Sequence, residues 1–142
     1  MKRSILALML MLSTPVFAAS LVSLTKSEIN AILQEKTVTT IPVVKWYENL
    51  VIHNPASIYF AKDGALSGRF TSQPDNGPQT DTGRWKIESN GQLCLHWKVW
   101  ANAKPSCAYA YKLANALIFV NTDKKFETLI PLNNIEIGNQ VN

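Results

Sequence analysis

The sequence predicts a mostly β protein: a short N-terminal helix followed by a small antiparallel β-barrel or sandwich. Three observations carry that prediction. Between Gly83 and Leu113, apolar and polar residues alternate with the period of two that a half-buried strand requires. Turn signals recur about every ten residues along most of the chain. A single strong helix-start signature stands ahead of all the strands.

That signature is Leu24-Thr25-Lys26-Ser27-Glu28-Ile29. Thr25 is placed to cap the free N–H groups of a first turn, and Glu28 completes a capping box three residues on. Leu24 and Ile29 occupy the two staple positions around it. Ile29, Ile32 and Leu33 share one helical face, so the helix should cover one end of the sheet that follows.

From Thr37 to Ile41 nearly every residue is branched, which suits a pleated strand. Pro42 should interrupt it and Val43 to Tyr47 resume it, with Asn49 to Pro55 ambiguous and ending in loop. Ser57 to Ala61 and Leu66 to Thr71 are strands joined at Lys62-Asp63-Gly64. Residues Gln73 to Asp81 form one long polar loop. Trp85 and Ile87 then alternate with Lys86 and Glu88, Ser89-Asn90-Gly91 turns the chain, and Leu93, Leu95, Trp97 and Val99 alternate with Cys94, His96, Lys98 and Trp100. Asn102 to Pro105 breaks the run, because proline has no N–H for a ladder. Cys107, Tyr109, Tyr111 and Leu113 resume it as the third strand of a meander. Ala116 to Val120, Phe126 to Ile130 and Ile135 to Ile137 complete the set, and the polar C-terminus is expected to fray.

Lys2 and Arg3, the apolar run Ile5 to Leu12 and the sequence Pro15 to Ala18 together form the pattern of a secretory signal, with cleavage expected after Ala18. The run is too short to span a bilayer, and no later segment is apolar enough to do so. Residues 1–18 are therefore read as signal and 19–142 as a single β-rich domain in an exported protein, the periplasm being the favoured location over secretion. Loss of Lys2 and Arg3 would lower the formal net charge of +4 by two. The remaining lysines are scattered, so no basic stripe points to nucleic acid. Neither an integral membrane protein nor a cofactor enzyme is expected, since no Gly-rich phosphate loop is present. A zinc site would need more His and Cys ligands than are free in this chain.

Asp63-Gly64 after an aromatic strand, Gly83-Arg84-Trp85, Asn90 through Trp97 and the later Cys107 resemble a family of small exported proteobacterial proteins classed as a domain of unknown function. The helix opening at Leu24 resembles the start of its members as well. The resemblance implies an exported small β fold with a cysteine pair, and carries no catalytic residue with it. Gly83-Arg84-Trp85 also resembles the Gly-x-Trp of lipocalins, which bind apolar ligands inside a barrel. There the motif belongs to the first strand, whereas here several strands precede it, so this likeness is one of fold alone.

In an oxidising compartment Cys94 and Cys107 are expected to be bonded, two separately buried thiols being the competing arrangement. Register raises a difficulty: with a tight turn centred on Asn102 to Pro105 the two positions are not opposite, so an irregular loop or bulge is required. A bond would put His96, Lys98 and Trp100 on the same sheet side as Tyr109 and Tyr111. The other side, Leu93, Leu95, Trp97 and Val99 against Ala108, Ala110 and Ala114, is the better core. His96, Trp100, Tyr109 and Tyr111 are then the candidate surface for a protein partner or a small apolar ligand, unless another layer of the fold covers them. A non-enzymatic binding module is the favoured function. The alternatives are a small hydrolase built around His96 or His53, and a secreted inhibitor presenting the loop from Gln73 to Asp81.

Overall fold

The computed structural model describes residues 21–42, 55–72, 77–123 and 126–141. The expected signal, the stretch Val43 to Tyr47, His53 and Gln73 to Asn76 lie outside the described residues.

Helix α1 spans Lys26–Leu33 behind the expected capping box. The Glu28 carboxylate accepts from the Thr25 N–H at 2.8 Å and the Thr25 hydroxyl accepts from the Glu28 N–H at 3.4 Å. The bond from the Thr25 N–H, and after it one that the Thr25 hydroxyl donates to the same carboxylate at 2.7 Å, hold the Glu28 carboxyl below its ordinary range. Ile29 and Leu33 are 1% and 0% exposed. Burying two such side chains contributes about 1.5–3 kcal/mol each, which a helix this short requires, because isolated helices of its length are not stable.

The remaining chain forms one antiparallel sheet: β1 Lys36–Thr39, β2 Ile41–Pro42, β3 Ala56–Phe60, β4 Ala65–Phe70, β5 Thr80–Ile87, β6 Leu93–Trp97, β7 Ser106–Leu113, β8 Ala116–Asn121, β9 Phe126–Pro131 and β10 Ile135–Ile137. From β3 to β9 each strand pairs with its successor, as a meander requires. The sheet then curls into a nearly closed barrel. β1 and β2 are halves of one strand bent at Thr40, whose hydroxyl and N–H both bond the Ala56 carbonyl. Beyond the bend, Ile41 pairs with Leu129 of β9; before it, Lys36 pairs with Ile137 of β10. A 3-10 turn at Leu132–Asn134 absorbs the register change, so the last strand follows the first around its bend. Pro42, expected to interrupt the strand, instead lies within β2 opposite Thr128.

Alternation sorts the side chains. Val38, Ile58, Phe60, Leu66, Trp85, Ile87, Leu93, Trp97, Ala108, Ala110, Leu117, Phe119 and Ile130 are buried in one core that also receives Ile29 and Leu33 from α1. Leu93 and Ala108 face each other across β6 and β7, large against small. Phe60 meets Trp85 edge to face at 5.4 Å, and the Trp85 indole N–H reaches the Ala61 carbonyl at 2.9 Å. The helix thus contributes its buried face to the barrel core.

The C-terminus is tied down rather than frayed. Gly138 N–H bonds the Glu35 carbonyl, Thr37 exchanges bonds with Gly138 and Gln140, and Val141 is buried. Its apolar character, set among polar neighbours, is the signal that composition alone obscures. Among the described residues no helix is long and apolar enough to cross a membrane.

Candidate functional site

Cys94 and Cys107 are directly opposed on β6 and β7 and are joined by a disulfide, with Cα atoms 4.0 Å apart. The register difficulty is resolved by an irregular connection. After β6 the chain passes through a 3-10 turn, Trp100–Ala103, in which Ala101, Asn102 and Ala103 all have positive φ, between 52° and 55°. Three successive non-glycine residues in the left-handed region cost roughly 1–2 kcal/mol each, so the turn must be held from outside.

Asp81 holds it. One carboxylate oxygen accepts from the N–H groups of Val99 and Trp100 at 2.9 and 2.8 Å, and the other accepts from Thr82 N–H at 2.7 Å. Burial raises the pKa of this carboxyl, but the Trp100, Val99 and Thr82 N–H groups, assisted by the Lys98 charge, outweigh it and leave it below its ordinary value. Asp81 was expected in a solvated loop; it lies instead inside β5, on the side of Trp85 and Ile87. Counting the alternation back from Trp85 through Gly83 gives that placement.

Trp100 therefore leaves the strand and does not share a face with Tyr109 and Tyr111, as continued alternation had suggested. Its ring lies 4.8 Å from Trp97 and 4.2 Å from Phe70, and its indole N–H donates to the Pro78 carbonyl at 3.0 Å. The trio sits above Gly68, where an added Cβ would lie 2.5 Å from the Trp100 ring. Val99 and Ala114, expected in the core, are exposed for the same reason: the strands end before them.

Tyr109 and Tyr111 do point away from the core, because Ala108 and Ala110 between them are buried. Register extends this outer face across four strands. Tyr111 is opposite Ile118, Ile118 opposite Leu129, and Leu129 opposite Ile41, while Tyr109 is opposite Val120. Leu117, Phe119 and Ile130 fill the inward positions between them. The result is a continuous outward row of large apolar side chains, with Ile41 at one end 40% exposed. Leu21, 58% exposed, borders a shallow groove formed with Tyr111, Ile118 and Val120.

His96 also faces outward, opposite Arg84, with its Nε2 3.0 Å from the Ala103 carbonyl. A carbonyl only accepts, so Nε2 carries the proton. No carboxylate bonds this ring among the described residues, and the arrangement of base, orienting acid and nucleophile that hydrolysis needs is not assembled there. Among the described residues no cluster of three or more His, Cys, Asp or Glu side chains could hold a metal ion. Of the expected surface residues, Tyr109 and Tyr111 form one wall, His96 belongs to another, and Trp100 caps an end of the barrel. No family model, no curated protein and no solved structure matches this chain.

Proposed function

We propose that the protein is an exported, non-enzymatic binding module that docks a protein partner through the outward row Tyr111, Ile118, Leu129 and Ile41. The observation that carries this reading is the row itself, an apolar ladder on the solvent side of a barrel whose inward positions are already filled by core side chains. A row of aromatic and branched side chains matches the composition of interface centres. A filled interior favours a partner at the outer wall over a small apolar ligand inside. Export is supported by the signal pattern of residues 1–18 and by a disulfide, which oxidising compartments favour.

The test is capture from periplasmic extract by the immobilised mature chain, compared with Ile118→Lys, Leu129→Lys and the control Lys62→Gln, exposed on the turn between β3 and β4. Both side chains point outward, so circular dichroism and melting should be unchanged. Loss of the same captured protein in both row variants, with retention in the control, is expected. Capture that is indifferent to both substitutions would overturn the reading.

A further inference from the structure

The disulfide lies on the outer wall of the barrel. Trp85, Ile87 and Leu93 point into the core, so Lys86 on β5 and Cys94 opposite it on β6 point outward, as does Cys107 across the next ladder. Both cysteines line an outer groove of about 460 Å³, with Pro105 and His96 and with the Lys86–Glu88 ion pair. Cys94 is 5% exposed, whereas Cys107 is half-buried. A thiol arriving from solvent therefore meets Cys107 first.

The bond closes the connection that carries the left-handed residues Ala101, Asn102 and Ala103. Two other contacts hold that connection. The Asp81 carboxylate accepts from the Val99 and Trp100 N–H groups at its start, and His96 Nε2 donates to the Ala103 carbonyl at its end. Opening the disulfide leaves the pairs Leu93–Ala108 and Leu95–Ser106 to hold β6 against β7. The pairing of β7 with β8, from Ala108 to Leu113, does not involve it. The packed core cluster contains neither cysteine. Loss of the bond therefore falls on the connection, where three left-handed residues are already costly, and not on the barrel.

We infer that the Cys94–Cys107 bond is an exchangeable redox switch: a dithiol entering the outer groove opens it at Cys107 while the barrel stays folded, and opening frees the turn from Trp100 to Ala103. Access of the attacking thiolate to a disulfide sulfur is one of the factors that set the rate of such exchange. The thiolate bonds to Cys107 Sγ as the S–S bond breaks. The electron pair leaves on Cys94 Sγ, which takes a proton from water. The second thiol of the reagent, deprotonated, then displaces Cys107 from the mixed disulfide, and Cys107 is protonated in turn. The dithiol supplies the two electrons and ends as a disulfide; the reverse sequence, with the oxidised reagent, closes the bond again. The partner class this chemistry selects is a dithiol–disulfide oxidoreductase. The inference does not rest on the outward apolar row.

The experiment exposes the oxidised mature chain, in buffer without denaturant, to a series of dithiothreitol concentrations and counts free thiols by alkylation and mass spectrometry. Global unfolding is timed in parallel by urea jumps extrapolated to water. The reduction rate is expected to rise linearly with dithiothreitol and to exceed the unfolding rate about tenfold. Far-UV circular dichroism should be the same in the reduced and oxidised chains. Tryptophan fluorescence should change, because Trp100 leaves its stack on Trp97 and Phe70, and glutathione disulfide should restore it. With glutathione as the attacking thiol and an acid quench, the first mixed disulfide should map to Cys107. A reduction rate that levels off at the unfolding rate would overturn the switch. So would loss of dichroism on reduction, unchanged fluorescence, or a glutathione adduct on Cys94.

Discussion

Replacing Asp81 by asparagine tests whether one carboxylate holds the turn over the barrel end. In the native chain its oxygens accept three backbone N–H groups, from Thr82, Val99 and Trp100, at 2.7 to 2.9 Å. An asparagine keeps one oxygen and turns an NH2 toward donors, so one or two of these charge-assisted bonds are lost. At about 1.5–3 kcal/mol for a hydrogen bond to a charged group, Asp81→Asn should destabilise the fold by about 2–4 kcal/mol at neutral pH. The pH dependence is the sharper part. The folded-state pKa is depressed, so the stabilisation is fully present above the unfolded value of about 3.9 and is lost as pH falls through the lower folded value. Other carboxylates titrate alike in both proteins and cancel in the difference. Urea unfolding followed by tryptophan fluorescence, which Trp97 and Trp100 report, should show a wide gap at pH 7 that narrows below about pH 4. A gap of the same width at both values, or no gap at neutral pH, would refute the reasoning.

Gly68→Ala places a Cβ 2.5 Å from Trp100 and 2.8 Å from Trp97; the rings must shift, and urea unfolding should report a loss of about 1–3 kcal/mol with altered tryptophan fluorescence. Ala103→Gly relieves a left-handed alanine at φ 52° and should raise stability by up to about 1 kcal/mol, whereas a loss would show that the turn is not strained. Removing both sulfurs in Cys94→Ser/Cys107→Ser should cost about 2–4 kcal/mol and raise hydrogen exchange first between β6 and β7; uniform exchange would count against a local staple.

What was legible in the sequence was whatever depends on neighbours along the chain. The capping box of Thr25 and Glu28, the Asp63-Gly64 hairpin and the β5–β6–β7 meander are local patterns, and all are present. The cysteine bond was legible from the expected compartment, and its register only as a conflict: opposite registry demanded an irregular loop, and the left-handed run from Ala101 to Ala103 is that loop. Pairing between distant strands left no local mark. Nothing near Ile41 announces that it will meet Leu129, and only that pairing turns four scattered apolar residues into one row. Trp100 was misplaced because alternation was carried past the point where a buried carboxylate ends it.

The disulfide ties one of the short ladders of the barrel. β6 and β7 pair only from Leu93 with Ala108 to Leu95 with Ser106, whereas β7 and β8 pair from Ala108 with Asn121 along to Leu113 with Ala116. A short ladder opens more readily than a long one, and this one is flanked by a strained turn. The same seam separates the outer wall of β4 to β6 from the apolar outer wall of β7 to β9, so opening there would disturb the relation between them. The outward row of Tyr111, Ile118, Leu129 and Ile41 exists only while neighbouring strands hold their register, because it is assembled from side chains on different strands. A filled interior fixes that register from within, and the Cys94–Cys107 bond fixes it from outside at one of its short ladders. Inward positions thus maintain the barrel, and outward positions remain free to differ in chemistry from one wall to the next.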